Sequence, residues 1–474
     1  MENSKLISVL RTFTAKEWRL FGEFMASPYF NKNSDLLPFY EYLKKLAPAF
    51  PPEKTTRKKV FSKLYPKQAF DEKQFNYLMS FTLKLAEEFL AHEHMKAEGI
   101  ALENYMMNAF LERDLDKHYR YIFNKTDKKL ENQNWRDTDY YYNRYLMAHT
   151  DNQYFLQQKI RKYDDRLQKA SDYLDHFYLC AKLRYFCEML DRKKSLAAEY
   201  DLHFLEEVKK YASDTVLADI PPVKIYYQLL LMLENDTDDR LFTEFKALVE
   251  KHRQLFPREE VKDIYAYAIN YCIRKINHGN LQYLEELFSF YHYAIDKNLL
   301  LENDHLSPWA FKNMVGVGLR LKKFDWTENF IKTYHKRLHS DFQQNALHYN
   351  LAELYYYNQD HDRALTELNK VSFSDVYYHL DTKKLMLKIY YEQEEIDAFY
   401  SLSAAFKMLL KRNKLISSSN KKAYENFVSI LGKMIRKEVK LLPDIEIQIK
   451  ETELLADRKW LKEQWGQMSE KNQA

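Results

Sequence analysis

The sequence predicts an all-α protein in which antiparallel helix pairs form an α-solenoid. The first observation is that its 474 residues include only 7 glycines and 11 prolines, where average usage would give about 33 glycines. Scarce glycine predicts few residues with positive φ, few tight hairpin turns and no glycine-rich phosphate loop. The second is that apolar residues recur at helical spacing. We therefore expect a helical content above about 65%, against an ordinary ~30–35%.

Composition limits the class of protein. Hydrophobic residues make up 46%, and the excess lies in 38 tyrosines and 30 phenylalanines. Tyrosine buries its ring while its hydroxyl reaches water, which suits thin, two-layered helical sheets; a codon bias toward Lys, Asn and Tyr is the alternative explanation. The formal charge of +4 is too small to indicate a dedicated nucleic-acid-binding protein.

Cysteine usage and hydropathy indicate the compartment. Cys180, Cys187 and Cys272 are too few, and odd in number, for a secreted disulfide framework. We expect three buried, reduced thiols. No secretory signal is visible, and no stretch approaches the roughly 18 apolar residues of a membrane span. The expected location is the cytosol.

Proline clusters divide the chain into four regions. Residues 1–95 predict an N-terminal helical region, and 96–218 predict long, tyrosine-rich helices. Residues 219–440 predict shorter helices in pairs, and 441–474 predict a terminal helix with a frayed end.

Local signals fix several helix starts. Thr14 with Glu17 is a capping-box pattern, and Asp71 with Gln74 opens a strongly periodic helix. Pro257 precedes a first turn that is rich in acids, which favours a helix start there.

The clearest signal is an internal repeat of 34 residues in the C-terminal half. Positions that are apolar in one stretch are apolar again 34 residues later: Leu351 and Leu385, Ala352 and Met386, Tyr355 and Ile389, Ala364 and Ala398, Leu365 and Phe399, Leu368 and Leu402, Val371 and Ala405. A helix pair has two apolar faces and buries both only against a neighbour, so this repeat predicts a stack of helix pairs.

The pattern resembles the tetratricopeptide repeat, a pair of antiparallel helices. The resemblance is clear over 345–410, and helix pairs of similar size extend the predicted array over 219–440. It implies close helix crossings at Ala364 and Ala398. It also implies a concave groove for a peptide or helix, lined by exposed residues of the first helix of each pair: Asn350, Glu353, Lys384 and Lys388.

The sequence departs from the family pattern at several positions. His348 and Thr382 stand where the family prefers tryptophan, and Gln359 and Gln393 stand where it prefers the turn glycine. A generic helical bundle with two repeat-like hairpins is the alternative interpretation.

No motif identifies a catalytic site. The glycine pair in 316–318 favours close helix packing over a phosphate loop. His335 and His339, with Asp341 nearby, have the spacing of two metal ligands on a helix. However, Lys336 stands where a zinc protease needs glutamate, so we interpret these histidines as a solvated helix face.

Two further groups resemble metal ligands only in part. Glu302 and His305 have the Glu-x-x-His spacing of di-iron sites, which need two such motifs. Asp236, Asp238 and Asp239 lack the glycine of a calcium loop. We interpret both groups as connections between helices.

Positive charge is concentrated in two segments. The segment 407–440 has ten basic residues and only Glu425 and Glu438 as acids. The segment 54–67 has no acid and six basic residues: Lys54, Arg57, Lys58, Lys59, Lys63 and Lys67. Lysines on a helix-turn-helix would contact phosphate, but an ordinary packed hairpin with a solvated basic face fits the Pro66 turn better.

We therefore expect a non-enzymatic scaffold or adaptor that binds a protein or peptide partner, with no cofactor, metal or membrane partner. A nucleic-acid- or ribosome-associated protein that uses the two basic segments is one alternative. An enzyme without a recognisable motif is another.

Overall fold

A computed structural model describes residues 1, 3–160, 162–196, 199–213, 217, 220–235, 237–372, 376–413, 416–436 and 442–473. Helices account for 76% of the chain, and the described ranges hold 23 α-helices and one two-stranded hairpin. The predicted all-α class is confirmed. No helix in these ranges combines the length and apolar character that crossing a bilayer requires.

The chain divides into two compact units, Met1–Phe256 and Pro257–Ala474. The boundary between them falls inside the predicted region 219–440. Each unit has its own set of helices.

The first unit contains, in its described part, α1 (Lys5–Leu10), α2 (Ala15–Ala26), α3 (Leu36–Lys44), α4 (Arg57–Leu64), α5 (Glu72–Glu98), α6 (Ile100–Leu111), α7 (Asp116–Glu131), α8 (Thr138–Gln157), α9 (Arg166–Leu196), α10 (Leu205–Ala212), α11 (Pro221–Glu234), α12 (Asp239–His252) and a 3-10 turn at Arg253–Leu255.

Side-chain caps start two of these helices as predicted. At α2 the Thr14 hydroxyl accepts the Glu17 N–H at 3.2 Å, and the Glu17 carboxylate accepts the Thr14 N–H at 2.7 Å. At α5 the Asp71 carboxylate accepts the Gln74 N–H at 3.0 Å. Both caps satisfy backbone donors that the first turn of a helix leaves free.

The helices α1–α5 share an aromatic core. Phe21 is fully buried, with its ring centroid 5.6 Å from that of Tyr40 and 5.4 Å from that of Phe89. α4 contributes Val60 and Phe61 to this core. One face of α5 is therefore buried, and the other remains in solvent.

The rest of the first unit is a succession of packed neighbours. α8 packs against α9, α9 against α11, and α11 against α12. The Cys187 thiol donates to the Tyr226 carbonyl at 3.2 Å across the contact between α9 and α11, and burial raises the pKa of this thiol. Cys180, Cys187 and Cys272 are all buried, which confirms their predicted burial.

The second unit contains, in its described part, α13 (Arg258–Asn277), α14 (Tyr283–Asp296), β1 (Leu301–Glu302), β2 (His305–Leu306), α15 (Pro308–Arg320), α16 (Phe324–Tyr334), a 3-10 turn at His335–Arg337, α17 (Ser340–Tyr357), α18 (His361–Leu368), α19 (Val376–Glu392), α20 (Ile396–Arg412), α21 (Ser418–Met434), α22 (Leu442–Glu451) and α23 (Arg458–Gln473).

These helices pack as consecutive pairs. α13 packs against α14, α15 against α16, α17 against α18 and α19 against α20. The first helices also pack on one another, α15 on α17 and α17 on α19. Such packing is consistent with the predicted array of helix pairs.

The first helices α15, α17 and α19 end in a left-handed residue that is not glycine. Lys322, Gln359 and Glu394 have φ of +55°, +62° and +59°. The N–H of the following residue then reaches the carbonyl five residues back, as in a Schellman-type cap. These bonds join Lys323 to Gly318, Asp360 to Tyr355 and Glu395 to Tyr390, at 2.8–2.9 Å. Residues with positive φ are few, as expected, but those that the structure describes include 11 that are not glycine.

The turns also correct the predicted register. The equivalent acceptors Gly318, Tyr355 and Tyr390 are 37 and 35 residues apart, not 34. Ala364 is fully buried, as predicted, but in the next pair Phe399 takes the buried position and Ala398 is only half-buried. The 34-residue alignment is therefore wrong by one residue in the α19/α20 pair.

Two smaller features lie beside these pairs. Gly318 marks a close crossing of α15 and α16, because a Cβ there would overlap the Thr327 hydroxyl. The segment 301–306, predicted as a connection, is a short antiparallel hairpin whose turn residues Asn303 and Asp304 have φ of +49° and +63°.

Candidate protein-binding site in the second unit

A cavity of about 300 Å³ lies among α13, α14, α15 and α17. Ile276 and Leu287 contribute to its apolar wall, and Lys312 and Glu353 to its polar wall. Gly316 also lines it, and a Cβ built there would meet no heavy atom within 4 Å. The space in front of α15 is therefore open, and its volume lies at the lower end of the range of ligand pockets.

Glu353 is the carboxylate of this cavity. It accepts a hydrogen bond from the buried Tyr349 hydroxyl at 3.0 Å. Burial raises the pKa of the Glu353 carboxyl, and the nearby Lys312 ammonium offsets part of that rise. An ionised carboxylate accepts several hydrogen bonds, so Glu353 retains capacity for a donor from a bound molecule.

Lys312 connects the cavity to an internal charge cluster centred on Asp381. The Asp381 carboxylate lies 2.5 Å from the Lys312 ammonium of α15 and 3.4 Å from the Lys384 ammonium. It also accepts the Tyr424 hydroxyl of α21 at 3.0 Å. Burial acts to raise the pKa of Asp381, but Lys384 and Lys312 outweigh it, and the pKa is lowered. The protein itself thus neutralises these lysines.

The C-terminal segment covers the neighbouring part of α17 and α19. The Lys388 ammonium lies 3.1 Å from the Asp457 carboxylate and 4.8 Å from the centroid of the Trp460 ring. The Trp460 indole N–H donates to the Tyr356 hydroxyl at 2.9 Å, and that hydroxyl donates to Glu392 at 2.5 Å. These contacts fasten α23 to both helices.

The prediction that four groove residues are exposed is wrong. Asn350 is fully buried, and its amide donates to the Ala346 carbonyl at 2.7 Å. Lys388 is buried, and Glu353 and Lys384 are half-buried. The reason is that neighbouring helices and the C-terminal segment pack on the face that the family analogy leaves to solvent. Of the four, Glu353 lines the cavity.

The first basic segment lies in the first unit, on and around α4. Arg57 donates to Glu72 at 3.3 Å and to Asn76 at 3.1 Å, both on α5. The Lys59 ammonium donates to the Glu53 carbonyl at 3.1 Å. All six basic residues are exposed: Lys54, Arg57, Lys58, Lys59, Lys63 and Lys67.

The second basic segment is described only in part. Residues 414–415 and 437–440 lie outside the described ranges. Lys407, Lys411 and Arg412 are exposed on α20. The residues 54–67 and the described part of 407–440 therefore belong to different units.

The described residues contain no group of three or more His, Cys, Asp or Glu side chains that could hold a metal ion. α16 ends at Tyr334, so His335 and His339 do not share one continuous helix. His335 is buried rather than solvated, with its Nδ1 3.0 Å from the Ile331 carbonyl. The interpretation of His335 and His339 as a solvated helix face is therefore wrong for His335. Asp236, which the sequence analysis grouped with Asp238 and Asp239, lies outside the described residues.

Reasoning from sequence missed Asp381, Asp457 and Trp460. The partners of these residues are distant in the chain: Lys312 and Asp381 are 69 residues apart, and Tyr356 and Trp460 are 104 apart. A usable signal for Trp460 was present, since a tryptophan in an otherwise polar terminal helix needs an apolar contact.

No family model, curated protein or solved structure matches this chain.

Proposed function

We propose that the protein is a non-enzymatic adaptor of the cytosol that binds a segment of a protein partner at the cavity of the second unit. The apolar wall suits an apolar side chain, while Asn277, Asn313 and Glu353 offer hydrogen bonds to a peptide backbone. Helix-pair arrays present such sites along their first helices, and the resemblance to tetratricopeptide repeats supports the same choice.

The observation that carries this proposal is the open space beside Gly316, between an apolar wall and the Glu353 carboxylate. Internal ion pairs occupy most of the surrounding charges. Lys312 is held by Asp381, and Lys388 is held by Asp457. Glu353 and Arg320 line the cavity without an ion pair in the described part of the chain, so they are the charged groups available to a partner.

Peptide selection on the full-length chain tests the proposal. A displayed library of random dodecapeptides should yield a recurring motif. The Gly316→Leu variant should bind the selected peptides at least about tenfold more weakly, because its side chain fills the cavity. Glu353→Gln should also weaken binding, because it removes the carboxylate charge without changing the volume.

Gly432→Leu is the matched control. Gly432 is a glycine of α21 that likewise has no heavy atom within 4 Å of a built Cβ, so this variant adds the same side chain elsewhere. It should bind the selected peptides like the wild type. Failure to select any motif, or equal binding by the Gly316→Leu variant, would contradict the proposed function.

A further inference from the structure

One face of α5 in the first unit carries a pair of exposed aromatic rings. Tyr77 and Phe81 are 55% and 45% exposed. Their ring centroids are 6.0 Å apart, with an interplanar angle of 21°. A shallow cleft of about 730 Å³ runs along this face and is also lined by Lys73 and Lys84. Water is a poor solvent for such rings, so this face offers apolar contact area to a ligand.

Arg57 joins the basic helix α4 to the same face. Its guanidinium donates to Glu72 and Asn76, and both of these residues line the cleft beside Tyr77. Arg57 thus places the start of α4 beside the ring-bearing face of α5, and we treat the cations of the segment 54–67 and this face as one surface. We name it the basic–aromatic surface, and its residues are Lys54, Arg57, Lys58, Lys59, Lys63, Lys67, Lys73, Tyr77, Phe81 and Lys84.

The charge of this surface is not neutralised by its surroundings. Residues 54–84 include eight basic residues and only two acids, Asp71 and Glu72. Asp71 caps α5, and Glu72 pairs with Arg57. No ion pair occupies the lysines of the segment 54–67 within the described residues. With eight basic residues and two acids, residues 54–84 have a net charge of +6, which exceeds the +4 of the whole chain.

We propose that the basic–aromatic surface binds single-stranded nucleic acid, with unpaired bases stacked on Tyr77 and Phe81 and phosphates paired with the lysines around them. Aromatic platforms beside a basic track are the usual means of binding single strands without sequence preference. An acidic peptide would pair with the lysines but would gain little from the rings. A duplex keeps its bases stacked inside and could not use the rings at all. This function is independent of the cavity in the second unit.

Fluorescence anisotropy with the full-length chain tests the proposal. The probes are labelled oligo(rU) and oligo(dT), a duplex of the same length, and a polyglutamate peptide. Both single strands should bind more tightly than the duplex and the peptide, and the two strands show whether the 2′-hydroxyl matters. If about five phosphates are neutralised, log K should fall with log salt with a slope of about −3.5.

Two pairs of variants separate stacking from charge. The Tyr77→Ala, Phe81→Ala double variant should lose at least about tenfold in affinity for single strands. The Tyr163→Ala variant, which removes a ring that is 90% exposed elsewhere in the unit, should not. The Lys58→Glu, Lys59→Glu, Lys63→Glu variant should bind weakly and show a shallower salt slope. The Lys16→Glu, Lys128→Glu, Lys251→Glu variant, in which the replaced lysines are also exposed, changes the net charge equally and should bind nearly as the wild type does.

Several results would overturn the proposal. They are no binding of single strands at low salt, equal affinity for the duplex or for polyglutamate, and unchanged affinity of the aromatic double variant. Equal losses in the two lysine variants would show that net charge, not this surface, controls binding. Since every changed side chain is exposed, thermal unfolding monitored by circular dichroism should confirm that all variants fold.

Discussion

At the residue scale, two glycines of α15 have opposite surroundings. A Cβ at Gly318 would overlap the Thr327 hydroxyl and press on the Trp326 ring, whereas a Cβ at Gly316 would meet open space. We expect Gly318→Ala to lower the free energy of unfolding by about 1–3 kcal/mol through overpacking. Gly316→Ala should raise it by about 0.5–1 kcal/mol, because alanine stabilises a helix interior relative to glycine. Urea unfolding of both variants measures the difference, and equal effects would contradict the crossing of α15 and α16.

The left-handed residues Gln359 and Glu394 give a second prediction. An L-residue in this conformation costs roughly 1–2 kcal/mol, which glycine avoids, so Gln359→Gly and Glu394→Gly should each raise the unfolding free energy by about 0.5–1 kcal/mol. The control is Ala404→Gly, at an exposed position within α20, which should cost about 1 kcal/mol. Destabilisation by all three changes would show that the turn residues do not adopt positive φ.

Asp381 gives a prediction with a defined pH dependence. Its lowered folded-state pKa means that the carboxylate stabilises the fold above its unfolded pKa of about 3.9, and that this contribution is lost as pH falls through the folded value. Asp381→Asn should lower the free energy of unfolding by about 3 kcal/mol at neutral pH. This value lies near the lower end of the range for a broken buried ion pair, because the Lys312 side chain is 33% exposed. Denaturant unfolding at neutral pH and below pH ~4 should show the difference between variant and wild type shrinking in acid. A difference that stays constant would mean that the charge of Asp381 contributes nothing.

At the element scale, Trp460 and Leu461 are the buried residues at the start of α23. Trp460 is 8% exposed, and its ring lies over Lys388 while its N–H reaches Tyr356. Trp460→Ala should cost about 3–5 kcal/mol and lower hydrogen-exchange protection in α23. Trp460→Phe keeps a ring and should cost less. Unchanged protection in the alanine variant would contradict the attachment of α23.

Elements were predictable where the deciding contacts are local. The caps at Thr14 and Asp71 depend on residues three positions apart, so the sequence displays both partners. The predicted repeat register was wrong because Gln359 and Glu394 adopt the left-handed conformation at a turn position that is usually recognised by a glycine. The prediction that Lys388 is exposed was wrong for a different reason. Asp457, which covers Lys388, lies 69 residues further along the chain. Helix propensity and periodicity carry no information on such distant pairings. The all-α fold class could therefore be predicted from the sequence, whereas the candidate site in the second unit could not.

At the scale of the whole molecule, the boundary at Phe256 makes a prediction that differs from a boundary near 218. α9 packs against α11, whose Tyr226 and Leu229 are fully buried, and both helices belong to the first unit. Fragments 1–256 and 257–474 should therefore each unfold cooperatively when produced alone, because each keeps its own core. Fragments 1–218 and 219–474 separate α9 from α11, so 1–218 should expose the surface around Cys187 and aggregate or melt at a lower temperature. Circular dichroism melts of the four fragments, with thiol reactivity of Cys187 as a second readout, distinguish the two divisions. If 1–218 is as stable as 1–256 and its thiol remains protected, the contact between α9 and α11 contributes little to the first unit, and the boundary lies before α11.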